Sequence, residues 1–322
     1  MAGLDVWLPI GNAASTLPRA LASLSRQTFR DWRLVAVDDG STDGSAEVAE
    51  RAGYRVIRRP HGGIVAALAA CAEASDAPLV ARMDADDTAH RERFAEQARL
   101  AATADVVATR VRVSGTGLRD YVRWQNGLVT HESIVRDLFV ESPLVHPSVV
   151  FRRDAYERAG GYRTVDWPED YDLWMRMARA GARFAKVPRV LLSWNDRPGR
   201  LTRTHRMYRE EAYFAIKRHY LRDHAVLARG PVTVWGAGPI GRWWVHRLTE
   251  DGIVVEQAID IDARKIGRRL GNRVPVRAPE EALARRRGGI VGAVGSKGAR
   301  AVIRRELERA GLVELADFVF VA

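Results

Sequence analysis

The chain has 322 residues, about twice an ordinary domain, and its 47% hydrophobic and 28% charged content excludes a disordered polypeptide. No run approaches the roughly 20 apolar residues of a membrane span, Met1–Ile10 carries Asp5 and no basic stretch as a secretory leader would, and the single cysteine, Cys71, excludes a disulfide scaffold or a cysteine-built zinc site. The net charge of +11 is spread along the chain, with 35 basic and 29 acidic residues up to Arg229 and 16 and 11 beyond it, so no element gathers the charge of a specific nucleic-acid face. A cytoplasmic protein drawn to phosphorylated ligands or to an anionic membrane surface is expected.

In chain order, Leu4–Ile10 reads as an apolar strand, followed by Gly11-Asn12 and a helix to about Ser25. Arg33–Val37 is a buried strand and Ser45–Ala52 a helix; Tyr54–Ile57, Ile64–Ser75 and Pro78–Ala81 repeat the alternation. Arg91–Ala102 is an amphipathic helix with Phe94, Ala98 and Ala101 or Ala102 on one face. Strand–helix alternation of this kind predicts an α/β domain on a mainly parallel sheet, which binds ligands beyond the carboxyl ends of its strands. A basic, aromatic helical stretch, Tyr208–Leu227, ends at Gly230-Pro231, a natural chain break. Two domains are therefore expected, 1–229 and a smaller α/β domain over 230–322.

Three acidic clusters stand at predicted element ends. Asp38-Asp39 closes the second strand, where Asp43 or Ser45 also serves as a helix cap. Asp84-Ala85-Asp86-Asp87 closes a later one, and three carboxylates in four residues repel one another unless a cation neutralises them; hard oxygen ligands suit Mg²⁺ or Mn²⁺. The third, Asp166–Asp172, contains Pro168 near helix position N1 and offers either a helix cap or a general base.

In these segments residues 4 to about 205 resemble a family 2 glycosyltransferase of the GT-A fold. The resemblance rests on Leu8–Asn12, Ser25–Phe29, Val37–Asp43, Ala81–Asp87, Arg93-Phe94 with Gln97, His146–Phe151, Gly160–Tyr162 and Glu169–Trp174, in that order and spacing. It implies that Pro9 and Asn12 lie along the donor nucleoside, that Asp39 accepts a hydrogen bond from the base, and that Asp84 and Asp86 bind the metal, with Asp87 beside them. It further implies that Asp170 is the general base of an inverting reaction, supported by Glu169. His146 matches a position near the acceptor side. The first strand ends in Ile10-Gly11-Asn12 where the family more often has an aromatic and a hydroxyl, which leaves the base open. Trp194–His205 replaces the family's tyrosine-arginine turn, either as an exposed basic loop or as a lid whose Arg200, Arg203 or His205 contacts the donor pyrophosphate.

Beyond residue 230 the chain resembles a small Rossmann-like nucleotide-binding domain. Gly236, Gly238 and Gly241 lie between a predicted strand and a helix, and Asp260 closes the next strand, where such a domain places a ribose-binding carboxylate. A second nucleotide site there, or a structural role in a homodimer, is expected.

The reading that follows is a metal-dependent transfer of a sugar from a nucleotide sugar to a glycan or lipid-linked saccharide. Any membrane contact would be peripheral, at the inner face and through Arg206–Arg222. A nucleotidyltransferase would want a glycine-rich, lysine-containing loop after the first strand, which Pro9–Ala14 lacks. A non-catalytic sugar-nucleotide sensor or scaffold would have no need of Asp84, Asp86 and Asp170 together.

Overall fold

The computed structural model describes residues 3–115, 117–197, 200, 203, 205–271 and 273–322. Its contacts define two compact units, Met1–Val135 with Pro143–Ala212, and Arg136–Ser142 with Tyr213–Ala322. The helical stretch before Gly230-Pro231 thus belongs, from Tyr213 on, with the second unit rather than with the first domain of the 1–229 division. The reason is ionic: Lys217 Nζ donates to the carbonyls of Val140 (3.2 Å) and Val321 (3.0 Å), and Arg218 forms a two-pronged pair with Asp251 (2.7 and 2.8 Å), which Arg222 also contacts. These bonds use up much of the positive charge that the sequence offers for a membrane surface in Arg206–Arg222.

The first unit is built on eight strands: β1 (Leu4–Ile10), β2 (Trp32–Asp39), β3 (Val56–Arg59), β4 (Leu79–Arg82), β5 (Thr88–Ala89), β6 (Val106–Val113), β7 (Val150–Arg152) and β8 (Phe184–Trp194), in the spatial order β3-β2-β1-β4-β7-β6-β8-β5. All pairings are parallel except those made by β7 and β5. Central β1 is covered on both faces, which is why Leu4, Val6, Trp7, Leu8 and Ile10 form an almost unbroken apolar run. Asp5 interrupts it and is fully buried. Arg33 grips its carboxylate with two 2.9 Å bonds, and Ser75 Oγ (2.6 Å) and the Asp76 and Ala77 amides (3.1 Å each) also donate to it. Burial would raise the Asp5 pKa, but these bonds outweigh it and hold the group below its usual range.

The helix Arg93–Leu100 turns the expected face inward, with Phe94 buried, Ala98 half-buried and Ala101 buried just past its end, but it buries polar groups as well. Its buried side chains are Arg93, Phe94 and Gln97. Arg93 donates to the Arg82 carbonyl (2.8 Å) and to Gln97 Oε1 (2.9 Å), and Gln97 donates to the Ser148 carbonyl (2.9 Å). A polar brace therefore stands behind the end of β4, where an apolar periodicity count sees only Phe94 and the alanines.

The second unit carries β9 (Val232–Trp235), β10 (Val255–Ile259), β11 (Arg269–Leu270), β12 (Val274–Arg277), β13 (Ile290–Gly292) and β14 (Phe318–Phe320), in the order β11-β12-β10-β9-β13-β14. Only β11 runs antiparallel to its neighbour. The helix Pro239–Glu250 follows β9 and buries Trp244.

Candidate active site

The carboxyl ends of β1 and β2 are laced together. Asn12 has φ of +46°, a left-handed conformation that asparagine tolerates better than most residues. Its amide donates to Ser41 Oγ (3.0 Å), and its Oδ1 accepts from the Thr42 amide (3.0 Å). Ala13 and Ala14 donate to Ser45 Oγ (2.8 Å) and Asp43 Oδ2 (2.9 Å). Asp43 also accepts the Ser45 amide (3.1 Å), but the cap of the helix Ser45–Arg51 is Gly44, at φ of +81° and with no side-chain cap bond, rather than Asp43 or Ser45. Pro9 lies in β1 opposite Val37. Asp39, at the end of β2, is nearly buried. It receives the amides of Gly62 (3.0 Å) and Gly63 (2.8 Å) and the Arg59 guanidinium; the ring of His61, 81% exposed, places Nδ1 3.0 Å from Asp39 Oδ2 and 3.2 Å from its main-chain carbonyl.

The turn after β4 gathers Asp84, Asp86 and Asp87, with one carboxylate oxygen of each within 4.8 Å of the others. Hard oxygen donors this close fit a magnesium- or manganese-sized cation. The charge is balanced by arginines from two sides. Arg82, itself buried, donates to Asp84 Oδ1 at 2.6 Å. From beyond β8, Arg197 Nε meets Asp86 Oδ2 at 2.9 Å, while Arg200 contacts Asp84 and lies 3.6 Å from Asp86 and 3.2 Å from Asp87. Asn195 completes the link with its amide on Asp87 Oδ1 (2.8 Å) and its Nδ2 on the Asp86 carbonyl (2.6 Å). Burial alone would raise the Asp84 pKa, but Arg82 and Arg200 bring it down to about 2. Burial, reinforced by Asp84 and Asp86 against the pull of Arg200, pushes Asp87 up to about 7.

Of the basic loop candidates, Arg200 enters the cluster. Arg203 does not, because it is paired with Asp196. His205 accepts the Met207 amide at 3.4 Å. Positions 198, 199, 201, 202 and 204 of that segment lie outside the described residues.

The third acidic cluster opens the helix Glu169–Arg179, with Pro168 at the cap rather than at N1. Glu169 is buried and accepts from the Tyr208 hydroxyl (2.8 Å), and its other oxygen lies 3.5 Å from His146 Nδ1. His146 Nε2 is 2.6 Å from the Tyr162 hydroxyl. Asp170 is half-buried, and its Oδ1 receives the Tyr171 amide at 2.8 Å. Burial first and the Glu169 charge second raise the Asp170 pKa well above the ordinary carboxylate range. Glu169 goes the other way, because His146 and Tyr208 outweigh its burial. Arg82 acts electrostatically on Asp84, Glu169 and Asp170 alike, so the second and third clusters share one field. Neighbouring carboxyls driven apart in this way are the pattern of an acid–base site.

Sequence reasoning assigned no role to Arg82, Arg197 or Tyr208. Arg82 and Arg197 lie inside or beside the quoted motifs, but nothing in the pattern distinguishes a buried guanidinium from a solvated one.

In the second unit the glycines have steric reasons. A Cβ on Gly241 would sit 1.7 Å from the Gly236 carbonyl oxygen, and one on Gly236, at φ of +126°, would sit 2.6 Å from that of Ala293. Gly238 caps the helix Pro239–Glu250. Asp260 already accepts the amides of Ala237 (3.0 Å) and Asp262 (2.9 Å) and the Lys265 ammonium (2.9 Å).

With strand ends, acidic triad and paired Glu169-Asp170 in place, comparison with known proteins is informative. The profile of glycosyl transferase family 2 matches residues 5–160. Those residues are a family 2 glycosyltransferase domain. The amylovoran biosynthesis glycosyltransferase AmsE of Erwinia amylovora is 29% identical over 183 residues, covering 55% of this chain and 69% of AmsE. Among solved structures, S. aureus TarS 1-349 in complex with UDP-GlcNAc shares 17% identity at a TM-score of 0.57, over 68% of this chain and 66% of that one. The mannosyltransferase PcManGT of Pyrobaculum calidifontis, in complex with GDP-Man and Mn²⁺, shares 17% identity at a TM-score of 0.51, over 98% and 82%. These two likenesses establish the fold of the glycosyltransferase domain as GT-A. No helix among the described residues is long and apolar enough to cross a membrane.

Proposed function

We propose that this chain transfers a glycosyl group from a nucleotide sugar to an acceptor hydroxyl with inversion, using Asp170 as general base. The observation that carries the reading is the pair at the helix start: Glu169 is held by Tyr208 and His146, while the adjacent half-buried Asp170 accepts the Tyr171 amide and has its pKa driven up by burial and by the Glu169 charge. Asp170 takes the proton of the acceptor hydroxyl, whose oxygen attacks the anomeric carbon from the face opposite the leaving nucleoside diphosphate. Glu169, fixed by Tyr208 and His146, keeps the Asp170 carboxyl basic enough for that task. Asp84, Asp86 and Asp87 would hold Mn²⁺ or Mg²⁺, which neutralises the departing diphosphate when bound.

On the donor side, Pro9, Asn12 and Asp39 line the nucleoside. Arg59, Gly62 and Gly63 already donate to the two oxygens of Asp39, and the exposed His61 ring beside Oδ2 is the group that yields to a base N–H. The nucleotide sugars bound by TarS and PcManGT support this donor class, and the manganese of PcManGT supports the metal. The name of AmsE, an amylovoran biosynthesis glycosyltransferase, supports a role in polysaccharide biosynthesis; the acceptor in this reading is a glycan or a lipid-linked saccharide.

Asp170→Asn tests the reading. Transfer should fall by about 10²- to 10⁴-fold, the usual worth of a positioned base, with donor affinity unchanged. Undiminished transfer would remove Asp170 from the mechanism.

A further inference from the structure

We propose that Arg200 and the divalent cation compete for the same three carboxylates, so that Arg200 is the internal counter-ion of the triad and must leave before the metal enters. This rests on the reading of Asp84, Asp86 and Asp87 as the metal site.

Among the described residues, Arg200 is the only side chain that reaches all three carboxylates; Arg82 touches Asp84 alone and Arg197 touches Asp86 alone. Its guanidinium is 7% exposed. Nη1 lies 3.2 Å from Asp87 Oδ1 and donates to the Asn195 carbonyl at 2.8 Å, while Nη2 contacts Asp84 Oδ2 and lies 3.4 Å from Asp87 Oδ2. The Trp194 ring supports it from one side, 5.2 Å from the guanidinium carbon.

The fork engages the same three carboxylates that can each offer one oxygen within 4.8 Å of the others. A cation bound by all three would need the space and the lone pairs that the guanidinium uses. Arg200 is therefore a positioning residue: it keeps three mutually repelling carboxylates in register. Once displaced, its planar fork is free beside the triad, where a diphosphate oxygen is a matched acceptor.

Competition predicts a gain of metal affinity on removing Arg200, which a merely structural role would not produce. Full-length protein without donor is titrated with Mn²⁺ alone, and free Mn²⁺ is read by electron paramagnetic resonance. If the competent site is open about a tenth of the time, Arg200→Gln tightens Mn²⁺ binding about tenfold. Arg197→Gln removes an equal charge from a more exposed contact and should change affinity by less than about threefold. Arg200→Lys keeps the charge but cannot span three carboxylates, and should fall between wild type and Arg200→Gln.

Equal or weaker binding by a folded Arg200→Gln protein overturns the proposal. So does an equal gain in Arg197→Gln, which would reduce the effect to net charge. If Arg200→Gln fails to fold, tightening in Arg200→Lys still supports competition, and no change in it refutes competition. Absence of Mn²⁺ binding in wild type and variants alike overturns the metal site itself.

Discussion

Two acidic turns close parallel strands in this molecule, and they are satisfied in opposite ways. In the second unit, Asp260 after β10 is served from close by: the Asp262 amide and Lys265 follow it in sequence, and the Ala237 amide lies at the end of adjacent β9. In the first unit, Asp86 and Asp87 after β4 draw their cations from Arg197 and Arg200, more than a hundred residues along the chain. A carboxylate supplied by its own turn is part of the turn. A cluster held by side chains from far along the chain can be released by withdrawing those side chains, as a site that exchanges one cation for another requires.

The comparison is broken most directly by removing carboxylates from each kind of environment. Asp86→Ala should lower glycosyl transfer by about a hundredfold or more, through loss of charge stabilisation at the leaving group. Because it also relieves repulsion within the triad, its melting temperature should stay level or rise. A large fall in both activity and melting temperature would make the triad structural.

The structural carboxylates should behave in reverse. Asp5→Asn weakens the grip of Arg33 on a buried side chain and should destabilise the first unit by about 2 kcal/mol in chemical denaturation, with activity per folded molecule retained. Asp260→Asn should remove only about 1 kcal/mol from the second unit and leave transfer unchanged. Loss of transfer in Asp260→Asn at full stability would instead point to a working ligand site there.

The smallest effect sharpens the roles at the third cluster. The base must be unprotonated to act, so transfer falls as pH drops through the raised Asp170 pKa. Glu169→Gln removes the negative neighbour that contributes to the rise. The acidic limb of the pH–rate profile should therefore move to lower pH, together with a several-fold slower rate at its plateau. An unmoved limb would detach Glu169 from the titration.

Much of the fold could be read from residue order because parallel strands buried on both faces leave continuous apolar runs, as Leu4–Ile10 and Arg33–Val37 do. The acidic clusters were legible as well, since repelling carboxylates at strand ends are conspicuous in one dimension. What stayed hidden was the partner of each charge. Arg200 and Arg203 lie three residues apart in the same basic loop, yet one enters the triad and the other binds Asp196. The buried Arg93–Gln97 brace escaped for a related reason: apolar periodicity counts methyl groups and does not register a guanidinium capping a strand carbonyl. The chain division shifted because Lys217, Arg218 and Arg222, which look like surface charge, bind the second unit internally.

The central claim, that Asp170 activates an acceptor for attack on a nucleotide sugar, is tested most directly by measuring nucleotide release. Wild type and Asp170→Asn would be incubated with UDP-, GDP-, dTDP- and CMP-sugars, Mn²⁺ and an extract of lipid-linked saccharides, with donor binding measured in parallel. The account predicts acceptor-dependent release from one donor by wild type and its loss in Asp170→Asn, which still binds that donor. Equal release by both proteins, or donor binding with no release under any condition, would contradict it.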